Sequence, residues 1–424
     1  MTDTRIAVVG AGLAGLETAR RLANEGLSVQ VFEAGPTVGG RVRTKNVDGF
    51  TLDRGFQVLF TAYPEVTRAL SLPDLELKRF PSGAVVCRSN HRSVIVDPLR
   101  DPYRAVETAL SRDLTMRDKF RILALRRAIT GRSRQEIFSG PDEPIDSYLR
   151  AQGFSDRFLG SFAGPLYGGI TLDRSLKTSS RIFRFTFRML SEGAAALPAA
   201  GMQAIPEQLV AHARRNGARI ETDTSVESID GTGPVTVDLG GESVTADSVI
   251  VAAGPEASRR LTGVESIPTA GKSVRTQYFA VSVDNPIADR TRIHLNAEGS
   301  VPNIVASLSA VAPSFTPDGR ALLAASTPGE PDLDPETQAE RTRKTIASWY
   351  PAASFDGLRL LETVDVPFAQ YAQPPGTHDS LPSVTAPQGS VYLAGDITTD
   401  SSINGALLSG RRASRAILDS EVGR

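Results

Sequence analysis

The chain has 424 residues and a formal net charge of −1, with 40% hydrophobic and 22% charged side chains. This composition is that of a globular protein and excludes a disordered or fibrous chain. A chain of this length is expected to fold as two or more domains. Because 47 basic and 48 acidic residues nearly cancel, no overall field attracts nucleic acid, and none is expected as a partner.

The cysteine and histidine content argues against disulfide and metal chemistry. Cys87 is the only cysteine, and the four histidines lie far apart in the sequence, so no metal site is expected. No run approaches the roughly 18 apolar residues that a membrane span needs. The N-terminus lacks the basic start of a signal peptide, and glycines interrupt its apolar run. These features predict a cytoplasmic protein.

The first 33 residues follow the order strand, glycine turn, helix, strand, acid. The apolar run Arg5–Val9 predicts a buried parallel strand, and the next six residues, 10–15, fit G-x-G-x-x-G. A helical repeat then continues to Gly26, and Ser28–Phe32 predicts a second strand that ends at Glu33. This order is typical of a dinucleotide-binding unit.

Each part of that unit has a physical role. Gly10 makes the tight turn, Gly12 lets the backbone approach a pyrophosphate, and Gly15 lets helix and strand pack closely. The positive end of the helix dipole favours phosphate groups. Glu33 lies 18 residues after Gly15, where an acidic side chain accepts hydrogen bonds from ribose hydroxyls.

A second glycine pair identifies the kind of dinucleotide. Residues 39–44 read Gly-Gly-Arg-Val-Arg-Thr, and here the chain resembles the superfamily of flavin-dependent amine oxidases, phytoene desaturases and protoporphyrinogen oxidases. Residues 52–57, 198–206 and 391–410 are similar to further segments of that family, in the same order. The resemblance implies FAD as the cofactor. Because no cysteine stands next to the C-terminal strand at 391–393, the resemblance implies no cysteinyl-flavin, and the FAD is expected to be non-covalent.

The glycine pattern and the resemblance together give the candidate FAD-binding residues. By the resemblance, Arg41 lies beside the pyrophosphate or the flavin, and the helix that begins near Asn404 directs its N-terminus at the flavin ring, which favours the anionic reduced flavin. The candidates are Gly10, Gly12, Leu13, Ala14, Gly15, Glu33, Ala34, Gly39, Gly40, Arg41, Gly55, Phe56, Gln57, Val226, Ala253, Gly254, Gly395, Asp396, Ser402, Ile403, Asn404 and Ala406.

The predicted fold is α/β, with a discontinuous Rossmann-type FAD-binding domain and a mixed-sheet plus helical substrate domain. Residues 1–70, 200–265 and 386–424 are assigned to the FAD-binding domain, and residues 71–199 and 266–385 to the substrate-binding domain. Strands are expected within 276–283, 322–325 and 358–364 of the second piece, and helices in the first piece.

The resemblance also implies residues for catalysis. Amine oxidases place a lysine that holds a water near flavin N5 on the strand after the domain crossover, where this chain has Arg275 or Thr276. They also flank the flavin with an aromatic pair, for which Phe368 and Tyr371 are the candidates. Phe368, Tyr371 and Arg275 are therefore the predicted catalytic residues. Among the histidines only His294 is considered for a role.

Residues 112–134 carry eight basic and two acidic side chains. Thr115 to Ile129 predicts an amphipathic helix, with Thr115 and Asp118 as a capping box. Phe120, Leu123 and Ile129 mark its apolar side. Two interpretations stay open: a helix that contacts a membrane surface and admits an apolar substrate, or a solvated basic face.

The predicted activity is FAD-dependent dehydrogenation, with hydride transfer to flavin N5, of an apolar or aromatic small molecule such as a polyene, prenyl or porphyrinogen-like compound. The missing lysine, and residues 162–170, which are similar to a segment of the desaturase and protoporphyrinogen oxidase branch, favour that branch. Two alternatives stay open: an amine oxidase that uses oxygen, and a redox-neutral isomerase or binding protein. A single dinucleotide signature favours an acceptor that reaches the flavin directly.

Overall fold

The computed structural model describes residues 4–422, apart from residues 232–233, 300, 318, 330–331, 352, 356 and 386–388. In this part of the chain the strands are β1 (Arg5–Val9), β2 (Ser28–Phe32), β3 (Thr44–Val47), β4 (Phe50–Asp53), β5 (Leu59–Phe60), β6 (Lys78–Arg79), β7 (Ala84–Arg88), β8 (His91–Ile95), β9 (Ala195–Leu197), β10 (Arg219–Glu221), β11 (Ser228–Asp230), β12 (Val235–Asp238), β13 (Ser243–Ala246), β14 (Ser248–Val251), β15 (Gly271–Ser282), β16 (His294–Asn296), β17 (Ile304–Ser307), β18 (Arg320–Pro328), β19 (Arg359–Tyr371) and β20 (Val391–Leu393).

The α-helices in the same part are α1 (Leu13–Asn24), α2 (Pro64–Ala69), α3 (Ala105–Leu110), α4 (Met116–Ile129), α5 (Arg134–Phe138), α6 (Ile145–Ala151), α7 (Asp156–Phe158), α8 (Gly164–Ile170), α9 (Ser180–Glu192), α10 (Ala204–Arg215), α11 (Pro255–Thr262), α12 (Leu308–Val311), α13 (Pro335–Trp349) and α14 (Ile403–Val422). Among these described helices, none is long and apolar enough to cross a membrane.

A five-stranded parallel sheet brings distant parts of the chain together, in the order β10-β2-β1-β14-β20. β1 lies in the middle and is buried from Ile6 to Val9, which explains its continuous apolar sequence. α1 and α14 pack against each other at one face, where Gly410 approaches the Ala14 carbonyl closely. The predicted strand, helix, strand and following Glu33 are confirmed.

A seven-stranded mixed sheet forms the second layer, in the order β19-β15-β18-β17-β16-β7-β8. Its pairs are antiparallel except β16 with β7, which are parallel. The predicted mixed sheet and the α/β fold class are therefore confirmed. The first piece contributes strands as well as helices, because the hairpin of β7 and β8 joins the sheet through β16.

The division of the chain into two domains stays a prediction, and residues 386–388, at one of its boundaries, lie outside the described residues. The predicted helix in 115–129 is present as α4, and its capping box is confirmed. The predicted apolar side is only partly buried. Ile129 is 2% exposed, but Phe120 and Leu123 are 67% and 40% exposed.

Candidate active site

A cavity of about 1520 Å³ begins at the carboxyl ends of the parallel strands. Four of its lining residues follow four different strands: Gly10 after β1, Glu33 after β2, Ala253 after β14 and Gly395 after β20. Ligands of open α/β sheets bind at this edge. A typical ligand pocket holds roughly 300–1,000 Å³, so this volume gives room for a large cofactor together with a substrate.

The glycine turn has the geometry that close approach of a cofactor requires. Gly10 has a φ of +101°, and a Cβ there would lie 2.7 Å from the Ala252 carbonyl oxygen. At Gly15 a Cβ would lie 2.0 Å from the Gly10 carbonyl oxygen, so this residue serves the packing of α1 on β1. A Cβ on Gly12 would meet no atom within 4 Å, because that position faces the open cavity.

The second glycine pair lies directly against this turn. The Gly39 N–H donates to the Ala11 carbonyl at 2.8 Å, and a Cβ on Gly40 would lie 3.4 Å from the Gly12 Cα. Gly39 and Gly40 both have positive φ, +110° and +61°. The two loops form one backbone cradle that side chains would fill.

Glu33 is held in a fixed orientation beside the cradle. Its Oε2 accepts from the Ala11 N–H at 2.8 Å, and its Oε1 accepts from the Gly35 N–H at 3.0 Å. Each carboxylate oxygen has two lone pairs, so both keep capacity for ribose hydroxyls. The geometry is that expected for a ribose-binding acid.

Three arginines surround the cradle with positive charge. Arg41 pairs with Asp396 at 2.7 Å, and Arg43 lies 3.8 Å from Glu33. Arg54 also lines the cavity, and among the described residues no carboxylate lies within ion-pairing distance of it. Burial, together with the charges of Arg43 and Arg41, lowers the pKa of Arg54. An anionic group in the cavity would relieve this repulsion, and the pyrophosphate of FAD is such a group.

Helix α14 points its N-terminus at the same cavity. Ser402, Ile403 and Ala406 line the wall, and the Ser402 hydroxyl accepts from the Gly405 N–H at 2.9 Å. A helix N-terminus carries about half a positive charge, which stabilises a developing negative charge on a group in front of it. The cradle, the arginines and this helix end together fit FAD.

Twenty of the 22 predicted cofactor-binding residues line the cavity. The two that do not are Gly15 and Asn404. The Asn404 side-chain oxygen accepts from the Glu65 N–H at 3.1 Å and so joins α14 to α2. The structure thus gives the Asn404 side chain a packing contact, and its contact with FAD stays a prediction. Arg54 was missed, although it stands in the predicted segment between Asp53 and Gly55.

The rest of the cavity wall is aromatic and aliphatic. Ring centroids of Phe154 and Phe158 lie 4.4 Å apart, those of Phe158 and Phe162 lie 5.8 Å apart, and those of Phe183 and Phe187 lie 5.7 Å apart. All five side chains line the cavity. This wall excludes water from the cavity and provides a large contact area for an apolar ligand.

None of the four histidines lines the cavity. The Nε2 of His294 lies 2.6 Å from the Tyr350 hydroxyl oxygen in the core behind the mixed sheet. Burial lowers the pKa of His294 to about 3, so it stays neutral. No role of His294 at the substrate is supported.

The three predicted catalytic residues are not brought together. Phe368 lines the cavity, but Tyr371 is 1% exposed and its hydroxyl donates to the Thr399 carbonyl at 3.1 Å. The register of β19 against β15 shifts between Val366 and Gln370, and the consecutive residues 366–370 all line the cavity, whereas Tyr371 does not. Of the predicted aromatic pair, only Phe368 lines the cavity.

Arg275 faces away from the cavity. Its guanidinium pairs with Asp365 at 2.6 Å and donates to Gln338 of α13. The side chains that alternate with it, Val274 and Thr276, lie on the cavity side of β15: Val274 lines the cavity, and the Thr276 hydroxyl accepts from the Phe56 N–H at 3.2 Å. The predicted catalytic residue Arg275 therefore does not line the cavity in which the substrate is expected.

A buried carboxyl group near the cradle gives a pH-dependent prediction. Burial raises the pKa of Asp53 to about 6, against hydrogen bonds from the Thr44 hydroxyl and the Met202 N–H that lower it. In the unfolded chain the pKa is about 3.9. Stability from this group is therefore present below about pH 4 and is lost as the pH rises to about 6. Both donors bond to Oδ1, which an asparagine retains.

We expect Asp53→Asn to remove the loss of stability that the Asp53 carboxyl group causes between about pH 4 and pH 6. The melting temperature of the variant, relative to the unsubstituted protein, should rise between about pH 4 and pH 6 and stay level above it. Thermal unfolding of the FAD-loaded proteins across this range measures the difference. Asp74→Asn, at an exposed position, is the control and should show a constant difference. A constant difference for Asp53→Asn would contradict the raised pKa.

The parallel sheet, its glycine turn and the helix end at one cavity define a dinucleotide-binding flavoprotein of the oxidoreductase class. The sequence pattern of the family described as flavin containing amine oxidoreductase matches residues 13–418. The chain belongs to this family, and the protein is an FAD-dependent oxidoreductase.

Relatives from several branches of this family are similar to the chain. Protoporphyrinogen oxidase 2 of Arabidopsis thaliana is 31% identical over 169 residues, which are 40% of this chain but only 33% of that protein. A probable zeta-carotene desaturase of Synechococcus elongatus is 23% identical over an alignment that covers 99% of both chains. The solved structure of an oxidoreductase from Methanosarcina mazei has a TM-score of 0.74 at 19% identity, covering 98% of this chain and all of that one; this likeness shows the fold.

Proposed function

We propose that the protein dehydrogenates an apolar or aromatic small molecule, such as a polyene, a prenyl compound or a porphyrinogen-like compound. The observation that carries this proposal is the aromatic wall of the cavity beyond the FAD cradle. The relatives named as a carotene desaturase and a protoporphyrinogen oxidase support the same class of substrate.

The charged side chains of the cavity do not favour an ammonium substrate. A cationic amine leaves water readily only for a carboxylate or an aromatic cage. Among the described residues, five carboxylates line the cavity. Asp97, Asp396 and Asp400 are paired with Arg126, Arg41 and Arg134. Glu33 belongs to the cradle, and Glu256 is exposed on the cofactor side, just after β14. An apolar substrate needs neither group.

The residues of the chain act by binding and positioning. FAD, when bound, accepts the electrons and hydrogen that leave the substrate. Phe56 and Phe368 line the cavity near the cradle, and the Phe56 backbone is fixed by its bond to Thr276. The Gln57 amide donates to the carbonyls of Arg41 and Arg54 at 2.9 and 3.1 Å, which holds the cradle under the substrate. Since no histidine lines the cavity, we propose no histidine base.

The test is the visible spectrum of the FAD-loaded protein under anaerobic conditions, with a polyene, a porphyrinogen and an alkyl amine added in turn. We expect the flavin colour to bleach with a polyene or a porphyrinogen and to stay unchanged with the amine. Bleaching by the amine alone would establish an amine oxidase instead. Turnover of an added compound without net electron transfer would establish the redox-neutral alternative.

A pair of variants sharpens this test. Phe368→Ser shortens a side chain that lines the cavity, and we expect it to slow flavin reduction by about tenfold or more while the protein keeps its FAD. Arg275→Gln removes a charge on the opposite side of the same sheet, so the reduction rate should not change. Slower reduction by Arg275→Gln alone would return the catalytic role to that residue.

A further inference from the structure

The exposed apolar side chains are concentrated in one region. Of the eight large hydrophobic side chains that are exposed in the described part of the chain, seven lie between residues 99 and 123, and the eighth is Val283. The seven are Leu99, Tyr103, Val106, Leu110, Met116, Phe120 and Leu123. A clustered patch of this kind marks an interaction site, whereas single exposed side chains do not. We call residues 99–127 the mouth surface.

Contacts hold the parts of the mouth surface together. The Lys119 ammonium on α4 donates to the carbonyls of Ala109 and Ser111 at the end of α3, at 2.7 and 3.3 Å. Arg126, near the end of α4, pairs with Asp97, which comes just before Leu99. The exposed apolar side chains of α3, α4 and the preceding turn therefore belong to one surface.

Helix α4 has two apolar stripes. Ile122, Leu125 and Ile129 lie on one side, and Leu125 and Ile129 are buried in the core. Met116, Phe120 and Leu123 follow one another at spacings of four and three residues, which places them on a common stripe. At 100° per residue the centre of this second stripe lies roughly opposite Leu125. A helix that only covers a core needs one stripe, so the second is available for a partner.

The second stripe lies where the cavity meets the surface. Met116, Phe120 and Leu123 are 60%, 67% and 40% exposed, and all three also line the cavity. Ala105 and Ala109 of α3 line it from the adjacent side. A side chain that is both exposed and part of the wall marks an opening, so the cavity opens within the mouth surface.

The mouth surface is also strongly cationic. It contains eight basic and four acidic residues. The acids are engaged within the protein: Asp101 with Arg292, Glu107 with Arg104, Asp113 with Arg88, and Asp118 in the cap of α4. Four exposed arginines have no ion-pair partner among the described residues: Arg112, Arg117, Arg121 and Arg127.

We propose that the mouth surface docks on an anionic lipid bilayer. The apolar side chains would enter the boundary between headgroups and acyl chains, and the unpaired arginines would contact lipid phosphates, as amphipathic basic surfaces do. An apolar substrate then passes from the bilayer into the cavity without crossing water. This passage rests on the proposed function, whereas docking itself does not.

Charge favours a bilayer over a second copy of the chain. A symmetric dimer through this surface would place the same patch on both sides of the contact. The four unpaired arginines of each copy would then face those of the other, and like charges in contact destabilise an interface. Anionic lipids have the complementary charge.

The experiment sediments the FAD-loaded protein with phosphatidylcholine vesicles, with and without phosphatidylglycerol. We expect binding that requires phosphatidylglycerol and weakens with added salt. The double substitution Phe120→Ser/Leu123→Ser should lower vesicle partitioning by about tenfold or more. Arg117→Gln/Arg121→Gln should lower partitioning to vesicles with phosphatidylglycerol by about tenfold or more.

Matched controls lie outside the mouth surface. Val283→Ser removes the eighth exposed large hydrophobic side chain of the described residues, and Arg214→Gln/Arg215→Gln removes two exposed charges on α10. Neither variant should change partitioning. Equal binding to both kinds of vesicle, or equal losses in the controls, would overturn the proposal. A dimer in solution that Phe120→Ser/Leu123→Ser dissociates would assign the surface to a second copy. Flavin reduction by detergent-dispersed substrate, measured without vesicles, tests the proposed function separately.

Discussion

Gly12→Val is expected to give a folded protein that no longer retains FAD. Gly12 has φ −74° and ψ 176°, an extended conformation that valine adopts readily. A Cβ at this position meets no protein atom within 4 Å. The isopropyl group therefore enters the cavity where the pyrophosphate is expected, and FAD affinity should fall by about a hundredfold or more.

The FAD content of the purified variant and its affinity on reconstitution measure this effect. Far-ultraviolet circular dichroism and the melting temperature of the FAD-free form should stay close to those of the unsubstituted protein. Gly241→Val is the control, because Gly241 also has open space around its Cβ position but lies in the exposed turn between β12 and β13. A fully loaded Gly12→Val protein would show that the cofactor does not approach this backbone.

Arg54→Gln is expected to shift FAD affinity and stability in opposite directions. The guanidinium of Arg54 lines the cavity beside Arg41 and Arg43, without a carboxylate partner in the described part of the chain. Removing it relieves repulsion in the FAD-free protein, so that form should melt at a slightly higher temperature. It also removes a charge-assisted contact to the pyrophosphate, and a loss of about 1.5–3 kcal/mol corresponds to roughly 10–150-fold weaker FAD binding.

Titration of FAD into the FAD-free proteins, followed by fluorescence, measures the affinity, and thermal unfolding measures the stability. Arg214→Gln changes the net charge equally at an exposed position of α10 and should alter neither quantity by much. If Arg54→Gln lowered both stability and affinity, Arg54 would be a structural residue rather than a contact for the cofactor.

The cofactor half of the site was predictable because its determinants are local. Gly10, Gly12 and Glu33 belong to one strand-turn-helix-strand unit, and spacing along the sequence fixes their positions relative to the phosphates. The family resemblance then added the remote segments that end at Gly395 and Ser402. Of the 22 residues predicted to bind FAD, twenty line the cavity. They lie in short segments, most of which follow the end of a strand.

The residues of the substrate half of the site were less predictable. What such a residue contacts depends on which face of its strand the side chain lies on. Arg275 and Thr276 are neighbours on β15, and only the pleat determines that Thr276 is the one that reaches Phe56. On β19 the register shifts between Val366 and Gln370, so a period-2 pattern does not predict that Phe368 lines the cavity while Tyr371 does not. Arg54 was missed for a different reason. It has no carboxylate partner among the described residues and lies beside two other arginines, Arg41 and Arg43, and this surplus of positive charge is visible only in the folded structure.

The order of the cofactor segments along the chain has a consequence for biosynthesis. The parallel sheet places β1 between β2 and β14, and β20 pairs with β14 from far along the sequence. The cavity wall around the cradle therefore includes residues from both ends of the chain, from Gly10 near the start to Ala406 near the end. The glycine turn leaves the ribosome early. The opposite wall of the cavity, which includes Gly395 and Ala406, is synthesised only near the end of the chain. FAD capture is accordingly a late event in the maturation of this protein, and nascent chains interrupted before Gly395 have no complete site for the flavin.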